Sequence, residues 1–517
     1  MSQVIELRPR RTKAHLLKKL CQSLGLASML LVMNYGDLLG GGADVRMHFP
    51  YALTGICLAQ LADILLLGLL IFAILAPLER TRFYPFVRLL LVIVIPPYIL
   101  WRLQSLMPDV AQELLPFFAV LWTAILLLCF FKFNLFYRRV IRLGDIVGVF
   151  LFLFALCSIT QLLFVMLWRP GPQQIRATWQ TAPQPPRVHP RIVWVVFDEL
   201  SYDQLFEHRA HDLDLPNFDA LRSQSTLFTD VQPIGIKTVR VIPSLLTGHE
   251  VDDYRFTFRN KFNVHYAGVH GWHPLNGSGT VFGDAGKQGW RTAAVGWYNP
   301  YCTIYGDALD SCYFMNLDRI DGLMSQRDPL WRNTLSPLQQ MVREVKAPAR
   351  ADRDICTYDV RQRLHTHLEL QASALQLLHS DQADFIFLHM SVPHSPNIWS
   401  RLEDNYTQFC DSSYLDNLAL ADHILGRMMA ELQASPRWQD TTVIVEGDHS
   451  WRTFLWDDQP SWTDEDDAAS RGVYDPRPAL LIHQPGQIQP ATNSTSWPLL
   501  RVHTVVEQTL NHQPVSY

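Results

Sequence analysis

Three stretches of the 517-residue chain run from an apolar segment into groups that bind metal ions. RIVWVVF (191–197) is followed by Asp198 and Glu199. ADFIFLHM (383–390) carries His389 and is followed by His394. TTVIVEG (441–447) is followed by Asp448 and His449. One Asp at a strand end is ordinarily a turn residue or a helix cap. Three such ends exceed what packing asks for. Carboxylates with an imidazole suit a divalent cation, zinc first, with manganese, calcium and magnesium open. A fourth stretch, GIKTVRVIPSLLTG (235–248), reads as the start of a buried helix with Thr238 at its head. That threonine is a helix N-cap, a nucleophile or both. A metal-bound hydroxyl favours its alkoxide, much as bound water falls to a pKa of about 7 on zinc. A helix N-terminus adds partial positive charge and amide donors that suit a phosphate or sulfate oxygen. A covalent threonine-linked intermediate would split a group transfer into two steps.

These residues meet only if their strands share a sheet. Each of the three runs is rich in β-branched and aromatic residues, as in strands buried on both faces. Amphipathic helices over 358–379 and 412–434 precede the second and third runs, and ALLIHQPG (479–486) reads as a fourth strand. Alternation of helix with buried strand predicts parallel strands joined by crossover helices, with ligands at their carboxyl ends.

The first third of the chain is different. Apolar spans at about 22–40, 51–77, 86–104, 114–131 and 145–168 approach the roughly 20 residues that a bilayer crossing needs. Arginines and lysines alternate between the connecting segments. They are dense before the first span, after the second (Arg80, Arg82, Arg88) and after the fourth (Lys132, Arg138, Arg139, Arg142), with only Arg46 and Arg102 in the other two loops. This predicts a cytoplasmic N-terminus and an external position for everything after the fifth span. The expected organisation is a transmembrane domain (1–168), a Pro-rich linker (169–190) and a catalytic domain (191–517). Cys302, Cys312, Cys356 and Cys410 fall in the outer domain, where an even cysteine count suggests two disulfides. Of three possible pairings, Cys302–Cys312 with Cys356–Cys410 is favoured. A net charge of −5, with no basic patch interleaved with aromatics, argues against nucleic-acid binding.

The outer domain resembles the alkaline phosphatase and sulfatase superfamily. The whole chain resembles its membrane-anchored branch, the phosphoethanolamine transferases and lipoteichoic acid synthases. VVFDELS (195–201) is similar to the first metal-ligand strand, implying a ligand at Asp198, with Glu199 second. Thr238 stands five residues before Pro243, the spacing of the nucleophilic threonine in that branch. GWYNPYC (296–302) resembles a segment with a substrate-contacting Asn, here Asn299, and a disulfide cysteine, here Cys302. HMSVPHSP (389–396) implies phosphate or leaving-group contacts at His394 and His389. Asp448 and His449 are the remaining implied ligands. The chain also departs from the pattern. Val241 stands where a sulfatase carries the Cys or Ser that becomes formylglycine, and Trp297 and Asn299 stand where a sulfatase usually shows Lys and His. No His follows the Asp-His pair at the usual distance, so Arg452, Lys237 and Arg240 are candidate phosphate contacts. The acidic run Asp457–Asp467 reads as a solvated loop. The resemblance implies an α-helical membrane domain plus an α/β sulfatase-like extracytoplasmic domain in a bacterial inner membrane. The implied activity moves a phosphoryl-alcohol group, such as phosphoethanolamine, from a phospholipid through Thr238 to lipid A, a glycan or a glycolipid. The alternatives are a hydrolase of the same fold, a phosphodiesterase or sulfatase, and a non-catalytic membrane assembly protein.

Overall fold

The computed structural model describes residues 12–39, 52–79, 133–169, 189–257, 259–315 and 328–517 apart from 347, together with scattered positions in 47–124 and 324–325. The chain divides into two compact units. The first contains 1–42, 52–169 and 323–341, and the second contains 43–51, 170–322 and 342–517. The break near 169 coincides with the end of the last apolar span. Residues 323–341, which the sequence places in the outer domain, belong with the apolar helices instead.

In the first unit, α1 (Lys13–Leu39) packs on α2 (Thr54–Leu78) and α3 (Phe133–Val165). Among the described residues two helical stretches are long and apolar enough to cross a membrane, Thr54–Leu78 and Ile146–Val165. The expected first span lies on α1, which is not among them. The expected third and fourth spans, apart from scattered positions, and most of the 169–190 linker lie outside the described residues.

The second unit is built on an eight-stranded sheet. In chain order its strands are β1 (Arg191–Asp198), β2 (Thr226–Phe228), β3 (Thr292–Trp297), β4 (Ser311–Met315), β5 (Phe385–Pro393), β6 (Thr441–Gly447), β7 (Leu480–His483) and β8 (Ala491–Asn493). Their spatial order is β8-β2-β7-β6-β1-β5-β3-β4. The five strands from β6 to β4 are parallel. β7 pairs antiparallel with β6, so the fourth strand read from the sequence does not extend the parallel set. No amphipathic crossover helix of the kind seen at 358–379 lies between residues 447 and 480 to carry the chain back for a parallel entry; only the short helices Thr453–Trp456 and Asp464–Ser470 occur there.

Alternation along β1 explains the layering. Val193, Val195 and Phe197 face one core with α6 (Pro348–Ser380) and α7 (Tyr414–Ala434). Ile192, Trp194 and Val196 face the other, with α4 (Thr238–Thr247) and α8 (Val502–Leu510). Every residue of β1, β5 and β6 is buried, as expected for strands covered on both faces. Both favoured disulfides, Cys302–Cys312 and Cys356–Cys410, are formed. The end of the acidic run is not a solvated loop: Asp464–Ser470 is a helix with a Thr463/Asp466 capping box, and the buried Asp466 accepts the Tyr414 N–H at 2.7 Å.

Candidate active site

Three adjacent strands, β6, β1 and β5, bring their carboxyl ends to one place. Asp198 closes β1, while Asp448 and His449 follow β6 at the matching level, since the register pairs Phe197 with Gly447. These three side chains form a buried cluster whose ligand atoms all lie within 4.8 Å of one another. His449 Nε2 is 3.6 Å from Asp198 Oδ1 and 3.2 Å from Asp448 Oδ2.

Thr238 enters from the layer above. It is the first residue of α4, and the N-cap is Lys237, whose side chain makes no capping bond. Thr238 therefore does not cap the helix. Its hydroxyl instead donates to Asp448 Oδ2 at 2.7 Å and lies 3.4 Å from His449 Nε2. The apolar filling of α4 (Val241, Ile242, Leu245, Leu246) is wholly buried. This packing fixes the hydroxyl from below, and the helix end directs its leading N–H groups outward.

The electrostatics call for a cation. Both Asp198 oxygens are buried without a hydrogen-bond partner. Burial first, and the neighbouring Asp448 carboxylate second, hold Asp198 well above the usual carboxylate range. Two buried carboxylates, an imidazole nitrogen and a hydroxyl are a hard donor set that a divalent ion would neutralise and complete. Asp198, Asp448, His449 and Thr238 are the residues that would hold it.

Glu199 is not in this cluster. It adopts a left-handed conformation, φ 69°, which turns its side chain away from the strand's path and is uncommon for a residue with a Cβ. Its backbone N–H donates to Asp448 Oδ1 at 3.2 Å. Its carboxylate receives Arg452 Nε at 2.5 Å and Trp456 Nε1 at 3.0 Å. The ligand position implied for Glu199 is thus given up to an ion pair behind the site.

The remaining candidates fall into two groups. His389 Nδ1 is 2.7 Å from the Tyr301 hydroxyl, and its Nε2 is buried without a partner. Burial depresses its pKa to about 4, so the ring is neutral. Tyr301 approaches this closely because position 296 is glycine: a Cβ there would lie 2.4 Å from the Tyr301 ring. Asn299 is fully buried with neither amide atom partnered among the described residues. His394 bonds through Nδ1 to the Ser395 carbonyl, and burial followed by the Arg363 and Arg452 charges holds it well below the usual histidine range. The other two basic candidates are placed differently. Lys237 is exposed, and Arg240 Nε donates to the Val251 carbonyl at 3.3 Å. Arg452 Nη1 also donates to the Ile236 carbonyl at 3.0 Å, so it ties Glu199 to the loop before Thr238.

Sequence reasoning missed Arg363. It comes from α6, lies 3.9 Å over the Trp297 ring, and donates to the carbonyls of Ser391 (3.1 Å) and Ser395 (2.8 Å). Nη2 is 3.2 Å from His394 Nδ1. Burial lowers its pKa to about 10, which leaves the guanidinium charged at neutral pH. Its only signal in the sequence is a basic residue in an amphipathic helix, which does not distinguish it from Arg361.

Solved structures with similar folds include the PsFucS1 sulfatase from Pseudoalteromonas sp. (14% identity, 63% of this chain and 69% of that one, TM-score 0.41). The phosphonate monoester hydrolase of Agrobacterium radiobacter is similar at 13% identity, 62% and 74% coverage and TM-score 0.39. The lipoteichoic acid synthase LtaP from Listeria monocytogenes is similar at 14% identity, 63% and 73% coverage and TM-score 0.39. No curated protein sequence matches the chain. The sulfatase family model matches residues 190–468, from the residue before β1 through the Asp448–His449 pair, and by that match over more than half of its length the chain belongs to the sulfatase family.

Proposed function

We propose that this protein is a membrane-anchored, metal-dependent phosphotransferase. It takes a phosphoryl-alcohol group from a phospholipid onto Thr238 and passes it to an external hydroxyl-bearing lipid or glycan. The observation that carries this reading is the Thr238 hydroxyl, buried at the head of α4 and bonded to Asp448 at 2.7 Å. Val241 occupies the position where a sulfatase has its modified Cys or Ser, so Thr238 is the nucleophile this segment offers. The apolar helices Thr54–Leu78 and Ile146–Val165 support a membrane location.

In the first step the Thr238 oxygen bonds to phosphorus and the bond from phosphorus to the diacylglycerol oxygen breaks. The threonine proton ends on the departing diacylglycerol. In the second step the acceptor hydroxyl bonds to phosphorus, the Thr238–phosphorus bond breaks, and the acceptor's proton returns to Thr238. Asp448 accepts the hydroxyl hydrogen bond and so orients the oxygen for attack. A divalent ion held by Asp198, Asp448 and His449 would lower the pKa of a bound hydroxyl and stabilise charge on the phosphoryl oxygens. Arg363 adds fixed positive charge on the side of His394, where a phosphodiester's non-bridging oxygens need it.

The test is the mass of the peptide spanning residues 235–248 after incubation of detergent-purified protein with mixed bacterial phospholipids. A phosphoryl-alcohol adduct on Thr238, absent from Thr238→Ala, is expected, and its mass names the donor head group. Phosphodiester turnover with water and no adduct would overturn the transferase reading in favour of a hydrolase.

A further inference from the structure

One helix is amphipathic in the wrong sense for a protein in water. α5 (Leu330–Lys346) begins in the segment 323–341, which belongs to the same compact unit as α1, α2 and α3. At 3.6 residues per turn, Leu330, Trp331, Leu335, Leu338 and Val342 fall within an arc of about 140°. A soluble protein turns such a stripe inward. Here four of the five face outward: Leu330 is 50% exposed, Trp331 62%, Leu335 44% and Val342 52%. The buried positions of α5 are Asn333, Pro337 and Gln340, so no large apolar side chain is buried there among the described residues. Asn333 and Gln340 are 1% and 5% exposed, and Asn333 both donates to the Ser325 carbonyl (2.8 Å) and accepts its N–H (3.0 Å).

The neighbouring segment belongs to the apolar helices. Met324 is fully buried, and the buried Gln60 of α2 donates to its sulfur at 2.7 Å. The outward side of α2 is itself a row of leucines, with Leu65, Leu66, Leu69 and Leu70 each about half exposed. Outward apolar and inward polar is the arrangement of an element whose surroundings are hydrocarbon, where polar groups must find partners inside the protein. Trp331, beside the exposed Arg332, is a pair suited to the boundary between acyl chains and head groups.

We infer that α5, though it lies in sequence between β4 and β5 of the catalytic sheet, is a lipid-facing element: Leu330, Trp331 and Leu335 insert into the phospholipid surface. The occupant of this face is the bilayer, because the segment is continuous with a unit whose other outward residues are those of apolar helices. The inference rests on the membrane reading of that unit, so the experiment includes a separate control for it. The photoreactive residue benzoylphenylalanine is placed singly at Trp331, at Leu335, at Leu70 on α2 and at Ile488, an exposed residue of the catalytic unit. Each full-length protein is reconstituted in nanodiscs of phosphatidylethanolamine and phosphatidylglycerol, irradiated and analysed by mass. Phospholipid adducts at 331 and 335, several-fold above those at 488 and comparable with those at 70, are expected. Adducts at 70 with none above the 488 level at 331 and 335 would overturn the inference alone. Covalent dimers through 331 or 335 would overturn it in favour of a contact between copies. Absence of adducts at 70 would overturn the membrane reading, and this inference with it.

Discussion

Glu199 and Arg452 offer a sharp test of how the site is held. Their ion pair lies behind Asp198: Glu199 is fully buried, Arg452 is 11% exposed, and the Nε–Oε1 distance is 2.5 Å. Replacing Arg452 by Met keeps most of the stem and removes the charge. Glu199 then retains only the Trp456 indole N–H as a side-chain donor. Breaking a buried pair from one side costs about 3–5 kcal/mol. The remaining indole bond and the partial exposure of Arg452 put this case at the lower end, about 3 kcal/mol, or about 6 °C in melting temperature for a large domain. Adding Glu199→Gln to Arg452→Met removes the stranded charge, so the double variant melts closer to wild type than Arg452→Met does. The assay is thermal unfolding in detergent followed by tryptophan fluorescence, with bound metal counted by elemental mass spectrometry in each variant. Glu199→Gln alone is expected to keep its metal. Loss of metal in Glu199→Gln, with no change in melting temperature for Arg452→Met, would refute the reasoning and return Glu199 to the ligand set.

Further outcomes follow from the same geometry. Thr238→Ala is expected to lower turnover by at least about 10³-fold, since it removes the attacking oxygen, while Thr238→Ser keeps measurable activity; initial rates on a lipid donor check both. Arg363→Ala should raise KM for a phosphodiester more than it lowers kcat, because it removes a charged contact on the His394 side, and Arg363→Lys should restore only part, since it lacks the planar face stacked on Trp297. Chelation should lower the melting temperature reversibly, as Asp198 and Asp448 are left as adjacent buried carboxylates; re-addition of zinc or manganese restores it. His367 is buried with both ring nitrogens unpartnered, and burial first, then the Arg363 charge, lower its pKa from 6.5 to about 3. Its folded pKa lies below its unfolded one, so the unfolded state binds the extra proton between these values. Stability is therefore full above pH 6.5 and falls as pH drops toward about 3. His367→Phe should flatten that slope in melting temperature against pH.

Much of the site was legible because it is written along strands. A period-2 pattern with no polar face announces a strand buried on both sides, and its end is where a polar residue can reappear. Asp198 and the Asp448–His449 pair mark such ends. The crossover helices make these strands parallel, so their ends point one way; that β6, β1 and β5 are neighbours is seen in the structure. Local sequence did not carry two other features. Asp198 and Glu199 are neighbours of the same charge, and only the left-handed turn at Glu199 separates a side chain facing the cluster from one facing Arg452. Arg363 and Arg361 are equally basic and two positions apart on a helix. Nearly opposite helix faces decide that one stacks on Trp297 while the other is exposed.

The same physics explains why the site departs from its relatives' pattern without losing its charge balance. On the proposed reading, a phosphodiester substrate would bring one negative charge to a centre that already holds Asp198, Asp448 and, beside them, Glu199. A divalent ion offsets two of these charges. Arg452 is committed to Glu199, so it holds that carboxylate silent rather than adding net positive charge. The surplus needed for the substrate then falls to Arg363, whose direct contacts are two carbonyls, an aromatic face and a neutral imidazole, while the carboxylates of Asp198, Glu199 and Asp359 also act on its charge. His389 and His394 are held neutral by burial, so neither can replace it at neutral pH. On the proposed phosphotransferase reading, Arg363 would supply the anion-binding charge expected from the sequence at Lys237 and Arg240, the first of which is exposed and the second turned toward Val251.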